Sequence, residues 1–221
     1  FGLALNDLPA FIALAKSLQA RIDVLHAHVG SGVKDVSHWA QLFAQLAQVA
    51  DDIGSVKAIN LGGGLSVPYH DKEDEFDIDA LAHTLHDSKS QWPQYALWME
   101  PGRFMSAQCG VLLTRIAQVV GKLGVCRIGL DGGMNALMRP ALYESKHRIV
   151  NLSRMDEPSS LKVDVVGPIC ESTDVLARRV LLPAQSREGD VVLIDTAGAY
   201  GFVMANQYNK RALPREEILD V

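Results

Sequence analysis

Val56-Lys57-Ala58-Ile59-Asn60-Leu61-Gly62-Gly63-Gly64 is a short apolar run that stops on three glycines. It reads as a buried strand ended by a turn. The same pattern recurs on either side. Ile22-Asp23-Val24-Leu25-His26-Ala27-His28-Val29 reads as a strand ended by Gly30-Ser31-Gly32. Tyr95 to Met99 reads as a third, ended by Glu100-Pro101-Gly102-Arg103, where Pro and Gly cannot continue a ladder. Between the runs, apolar residues fall at helical spacing. Leu8, Phe11, Ile12, Leu14, Ala15 and Leu18 form one stripe, with Asp7 as a candidate cap and Pro9 in the first turn. Trp39, Leu42, Phe43, Leu46, Val49 and Ile53 form a second behind Asp35, and Ile78, Leu81 and Leu85 a third.

Strand, small-residue turn and helix in repetition is the signature of parallel β/α units. Three parallel strands do not close a barrel, so the sheet is either open or continued by strands upstream. The chain begins at Phe1 rather than Met, and its opening residues read as the continuation of a longer chain. After Arg103 the rhythm changes. The runs 111–120, 127–131, 163–166, 179–182 and 191–195 are β-rich and separated by Gly, Pro and polar turns. The sequence therefore predicts α/β units over 1–109 and a mostly antiparallel β-domain over 110–221, with a boundary near Gly110. Residues 144–161 are polar and irregular and read as a surface loop with a short helix.

A content of 48% hydrophobic residues in 221 supports a substantial core. The net charge of −5, with both signs interspersed, leaves no nucleic-acid footprint. No apolar run is long enough to span a bilayer, so no membrane role is expected. Cys109, Cys126 and Cys170 have no CxxC spacing, which argues against a disulfide framework or zinc knuckle and for a reducing cytoplasm.

Chemistry in parallel β/α folds is placed at the C-terminal ends of strands, and the three strand ends carry suitable groups. Gly62, Gly63 and Gly64 follow a strand directly, as a phosphate-binding turn requires, without matching GxGxxG or a P-loop. Ser31 adds a hydroxyl. Glu100 beside a pyridine ring would keep the ring nitrogen protonated. Metal ligation is its alternative role. His26 and His28 share a strand face. They read as buried structural residues, as a metal pair of a hydrolase, or as one ring stacked on a flat cofactor. Downstream, Cys170 lies beside Glu171 and Asp174. Acidic neighbours keep a thiol protonated, which suits a proton donor. Cys109 and Cys126 read as buried structural cysteines. Arg139 and Tyr143, four apart, share a helix face and could bind a carboxylate together, or form a surface cation–π pair. Tyr200 sits in the glycine-flanked turn Gly198-Ala199-Tyr200-Gly201.

Taken in order, His28-Val29-Gly30-Ser31, the glycines 62–64, Glu100-Pro101-Gly102-Arg103, Cys170-Glu171-Ser172-Thr173-Asp174 and Gly198-Ala199-Tyr200 resemble the fold-type III pyridoxal-phosphate decarboxylases. The segment Arg139-Pro140-Ala141-Leu142-Tyr143 and the glutamate after Cys170 make the chain most similar to the diaminopimelate branch. An aspartate after the cysteine is more usual in the ornithine and arginine branch. The resemblance implies the C-terminal part of an alanine-racemase-like (β/α)8 barrel followed by a β-domain, working as a homodimer with shared active sites. It implies pyridoxal phosphate as cofactor, an amino acid as small-molecule substrate, and conversion of meso-diaminopimelate to lysine. By the same resemblance, His28 stacks on the ring and counts among the catalytic residues. Ser31, Gly62, Gly63, Gly64, Gly102 and Arg103 belong to the cofactor site, and Glu100 pairs with the ring nitrogen. Arg103, Arg139 and Tyr143 bind substrate carboxylate, Glu171 reads the distal end of the substrate, and Tyr200 touches cofactor and substrate. Cys170 donates a proton into the partner's site. The family also attaches its cofactor to a lysine in a Tyr-Ala-x-Lys-Ala-Asn context, which this chain lacks. Lys57 is at the wrong end of its strand, and Lys16, Lys34 and Lys89 lie in or beside helices. The three units are then expected to be the last three of the barrel's eight, and the chain to be inactive alone. Two rival expectations stand beside this one: a metal-dependent hydrolase built on His26 and His28, and a non-catalytic fragment that keeps the fold.

Overall fold

Short apolar runs between amphipathic stretches produce three parallel strands in the computed structural model, which describes residues 2–70, 72–122 and 124–219. Phe1 and Val221, the two ends of the sequence, lie outside the described residues. The chain divides into two compact units, Phe1–Val67 with Glu75–Phe104, and Pro68–Asp74 with Met105–Val221.

In the first unit, β1 (Val24–His26), β2 (Ala58–Asn60) and β3 (Ala96–Trp98) form a parallel sheet in that order. The register aligns His26 with Asn60 and Asn60 with Trp98, so the three strands end level. Helices α1 (Leu8–Ser17), α2 (Ser37–Ile53) and α3 (Ile78–Gln91) alternate with the strands. Helix α2 buries Trp39, Leu42, Phe43, Ala47 and Ala50, and it stops at Gly54, whose φ of 74° is left-handed. Central strand β2 buries Ala58 and Ile59 in succession, as a strand covered on both faces must. The N-cap of α2 is Val36 rather than Asp35, and the Asp35 carboxylate, one residue earlier, accepts from Ser37 N at 2.9 Å. Asp7 makes no such bond, whereas Asp77, which the periodicity did not single out, caps α3 through Ala80 N at 2.7 Å. The apolar stripe of α1 stays largely open: of its residues only Ala15 is buried.

The second unit is a six-stranded sheet in the order β6-β9-β4-β5-β7-β8. Its strands are β4 (Leu112–Lys122), β5 (Val125–Leu130), β6 (Ile149–Asn151), β7 (Ser159–Val166), β8 (Val175–Pro183) and β9 (Val191–Ile194). Every pair is antiparallel except β5 with β7. Strand β4 pairs with β9 through Leu112 to Arg115 and then with β5 from Ile116 onward. The core gathers Ile116, Ile128, Leu130, Leu137, Val163, Val165, Leu182, Val192 and Ile194. The reading of 144–161 as a surface loop is corrected here. Ile149–Asn151 forms β6 on the edge of the sheet and β7 starts at Ser159, while the expected short helix is present as a 3-10 helix over Leu152–Arg154. Strand β6 exists because it pairs with β9, Ile149 opposite Ile194 and Asn151 opposite Val192. Three residues carry no period of their own.

Candidate active site

The level strand ends of the first unit bring His26, Asn60 and Glu100 together. Asn60 Nδ2 donates to Glu100 Oε1 at 2.7 Å, and His26 Nε2 lies 3.6 Å from Oε2. The Glu100 side chain remains 57% exposed, so the pair adds little stability and the carboxylate stays open to a ligand. On its other edge, Asn60 Oδ1 accepts from Gly62 N at 3.0 Å.

The glycine turn is shaped by close approach. A Cβ on Gly62 would lie 2.9 Å from both the Ala27 carbonyl and His28 Nδ1, and its φ is +64°. On Gly63 a Cβ would strike the Glu100 carbonyl, and on Gly64 the Gly30 carbonyl. Only glycine lets three strand ends meet this tightly. Two of the three amides are already committed, Gly62 N to Asn60 and Gly63 N to His28 Nδ1 at 3.3 Å. Because an amide N–H can only donate, Nδ1 of His28 is the acceptor and a neutral ring carries its proton on Nε2. Ser31 follows directly. Its Oγ accepts from Arg103 Nη2 at 2.7 Å, and its Cα is 3.7 Å from where a Gly64 Cβ would stand. A hydroxyl, a guanidinium and the Gly64 backbone thus converge at one end of the cluster, and the Glu100 carboxylate lies beside the turn. Donors for a phosphate and an acceptor for a protonated ring nitrogen suit pyridoxal phosphate. The metal reading of His26 and His28 finds no third ligand: among the described residues no group of three His, Cys, Asp or Glu side chains could hold a metal ion.

In the second unit, α4 (Arg139–Tyr143) opens with Arg139. Its Cζ lies 5.4, 5.7 and 6.0 Å from the ring centres of Tyr200, Tyr143 and Tyr69. The geometry is a guanidinium in an aromatic cage, where cation–π attraction limits its wandering. Nη2 donates to Ser145 Oγ at 3.1 Å, while the buried Nε has no hydrogen-bond partner among the described residues. The turn that presents Tyr200 depends on its glycines, since a Cβ on Gly198 would strike the Ser106 carbonyl and one on Gly201 the Ala197 carbonyl. Tyr69 and His147 were not legible in the sequence, because neither sits in a motif and both are brought to Arg139 by the fold. His147 is 3% exposed, its Nδ1 lies 2.9 Å from the Asp195 carbonyl, and its ring meets Tyr69 edge-on at 5.1 Å. Burial pushes its pKa down and the Arg139 charge adds to that, against the pull of Asp195, so the ring is neutral.

Cys170 is a free, exposed thiol. The two acids beside it in sequence act differently from what their spacing suggested. Asp174 is 3% exposed, and its carboxylate accepts from Met134 N at 2.6 Å and Ile169 N at 2.7 Å. It pins the cysteine loop to the turn at 133–134. Glu171 stays at the surface, taking Ser172 N at 2.9 Å and lying 3.5 Å from the Tyr208 hydroxyl. Cys109, read as buried, is exposed and donates to the Ser106 carbonyl, and Cys126 is only half-buried.

Residues 19–198 match the family model "Pyridoxal-dependent decarboxylase, C-terminal sheet domain". The diaminopimelate decarboxylase of Methanothermobacter thermautotrophicus is 36% identical over 99% of this chain and 53% of its own length. That of Archaeoglobus fulgidus is 37% identical over 96% of this chain and 52% of its own. A crystal structure of diaminopimelate decarboxylase from M. jannaschii in complex with L-lysine superposes with a TM-score of 0.84 at 32% identity, covering 97% of this chain and 51% of that one. The chain therefore spans about half the length of the relatives it matches. Its parallel sheet and six-stranded sheet have the architecture expected of the barrel's C-terminal part and the β-domain.

Proposed function

Because this chain belongs to the pyridoxal-dependent decarboxylase family, we propose that the protein decarboxylates meso-2,6-diaminopimelate to L-lysine with pyridoxal 5'-phosphate. The reading rests on one observation above the others: the Glu100 carboxylate stands beside a glycine turn that itself adjoins the Ser31–Arg103 pair. The names of the relatives support the substrate, and the lysine bound to one of them supports the product. When bound, the cofactor supplies an electron-withdrawing ring that accepts the electron pair left as carbon dioxide departs.

The chain's own residues take the following parts. Ser31, Arg103 and Gly64 hold the phosphate, with Gly102 beside Arg103, and Gly62 and Gly63 let the backbone come close. Glu100 holds the proton on the ring nitrogen, because an anion beside the ring favours the protonated form. His28 packs on the ring. Arg139, with Tyr143 and Tyr200, binds a substrate carboxylate, and Glu171 binds the distal ammonium. Cys170 delivers a proton to the α-carbon. The protein works as a homodimer in the cytoplasm, where Cys109, Cys126 and Cys170 stay reduced. Among the described residues no helix is long and apolar enough to cross a membrane.

Assay of the intact protein for lysine and carbon dioxide from meso-diaminopimelate, with L-ornithine and L-arginine in parallel, tests the proposal. Lysine formation that needs added cofactor is the expected result. Faster turnover of ornithine or arginine would overturn the substrate. Within that assay, Arg139→Ala should raise KM for meso-diaminopimelate by roughly ten- to a hundredfold, the cost of one hydrogen-bond partner to a charge. An unchanged KM would remove Arg139 from the carboxylate site.

A further inference from the structure

Asn60 occupies the last position of β2, in register with His26 and Trp98. In the sequence it is an ordinary strand-end residue. In the structure its side chain touches both halves of the cofactor reading. Its Oδ1 accepts from Gly62 N at 3.0 Å and its Nδ2 donates to Glu100 Oε1 at 2.7 Å. The orientation of the amide follows from its partners. A backbone N–H must meet an acceptor, so Oδ1 faces Gly62, and Nδ2 is left to face a carboxylate, which accepts. The bond to Gly62 is local, two residues along the chain, and fixes the side chain whether or not Glu100 is in place. The bond to Glu100 spans forty residues. His26, at 3.6 Å, approaches the other carboxylate oxygen.

From this geometry we infer that Asn60 is a positioning residue that ties the Glu100 carboxylate to the glycine turn and so sets the span between the ring-nitrogen acceptor and the phosphate end of the site. This rests on the cofactor reading above. Its chemistry is specific to asparagine. Aspartate keeps the acceptor for Gly62 but loses the donor and turns a like charge on Glu100. Alanine loses both bonds. Neither residue can hold the two elements together, and a ligand that needs both in one geometry binds best when they are held in advance.

Two measurements on the cofactor-free intact protein and its Asn60→Asp and Asn60→Ala variants separate the bonds. Hydrogen exchange at the Gly62 amide reads the turn. It should stay slow in Asn60→Asp and speed up by about tenfold in Asn60→Ala, the usual worth of one hydrogen bond. Titration with pyridoxal phosphate, followed by fluorescence, reads the link to Glu100. Binding should weaken by about tenfold or more in both variants. Weak binding in Asn60→Asp with Gly62 still protected is the signature of positioning, since a residue that merely held the turn would leave that variant unaffected. Wild-type affinity in both variants, or wild-type Gly62 protection in Asn60→Ala, overturns the inference. If the wild-type protein itself does not take up pyridoxal phosphate, the proposed function fails, and the Gly62 exchange still decides whether Asn60 holds the turn.

Discussion

In the intact protein, given the proposed function, Cys170→Ala is expected to lower turnover of meso-diaminopimelate by about a hundredfold or more while KM stays close to wild type. A positioned general acid is typically worth about 10²- to 10⁴-fold, and alanine removes the proton while leaving the loop intact. The loop stays because its anchor lies elsewhere: Asp174 holds it through the amides of Ile169 and Met134. The thiol itself is exposed and free. Undiminished turnover in Cys170→Ala would take the thiol out of the chemistry. If the proposed homodimer forms and the proton crosses it, mixing Cys170→Ala with Glu100→Gln should restore activity that neither shows alone. In a mixed dimer one site receives both defects and the other neither. At random assortment half the dimers are mixed, so recovery should approach roughly a quarter of the wild-type rate. If subunits demonstrably exchange and no activity returns, Cys170 serves its own subunit.

Asp190→Ala should destabilise the second unit, by less than the roughly 3–5 kcal/mol lost when removing one partner strands a fully buried charge. Asp190 is 6% exposed, and its Oδ2 accepts from Arg154 Nε at 2.6 Å, Asn151 Nδ2 at 2.9 Å and Arg187 N at 3.1 Å. Without the carboxylate, Asn151, itself 1% exposed, loses one of its bonds where β6 meets β9. Arg154 keeps Glu157 at 2.8 Å, which sets the loss below that of a wholly stranded charge. The pair also gives stability a pH dependence. Burial by itself raises the Asp190 carboxyl, and the bonds from Asn151, Arg154 and Arg187 N outweigh it and hold it below the ordinary carboxylate range. A group whose folded pKa is depressed stabilises the fold above its unfolded value, about 3.9, and the gain is lost as pH falls through the folded value. Urea unfolding of wild type and Asp190→Asn from neutral pH down to acid should show a shallower acid loss in the variant. Asp131 remains to produce part of that loss, since Arg115 N and Thr114 hold it low against burial. Parallel acid limbs would exclude Asp190 as a source.

Periodicity and punctuation in the sequence determined the β/α alternation, the three strand ends and the change of rhythm after Arg103. Those features are local: Trp39, Leu42, Phe43 and Leu46 share a face whatever else the chain does, and a strand followed by Gly62-Gly63-Gly64 must turn. They also placed Glu100 and Ser31 at strand ends, where a ligand can reach them. What each polar group does there was settled only by contacts across long stretches of chain. Strand β6 is held by β9, more than forty residues later. Asp174 reads as a charge beside Cys170 in sequence, but its carboxylate turns inward to two backbone amides. The glycines read as donors for an anion, yet two of their amides belong to Asn60 and His28, and their want of a side chain serves the Glu100 and Gly30 carbonyls pressed against them. Tyr69 and His147 carry no motif and reach Arg139 only through the fold. Spacing along a chain reports which residues can share a face. Which donor meets which acceptor depends on tertiary packing, because a buried polar group takes whatever partner the fold brings within about 3 Å.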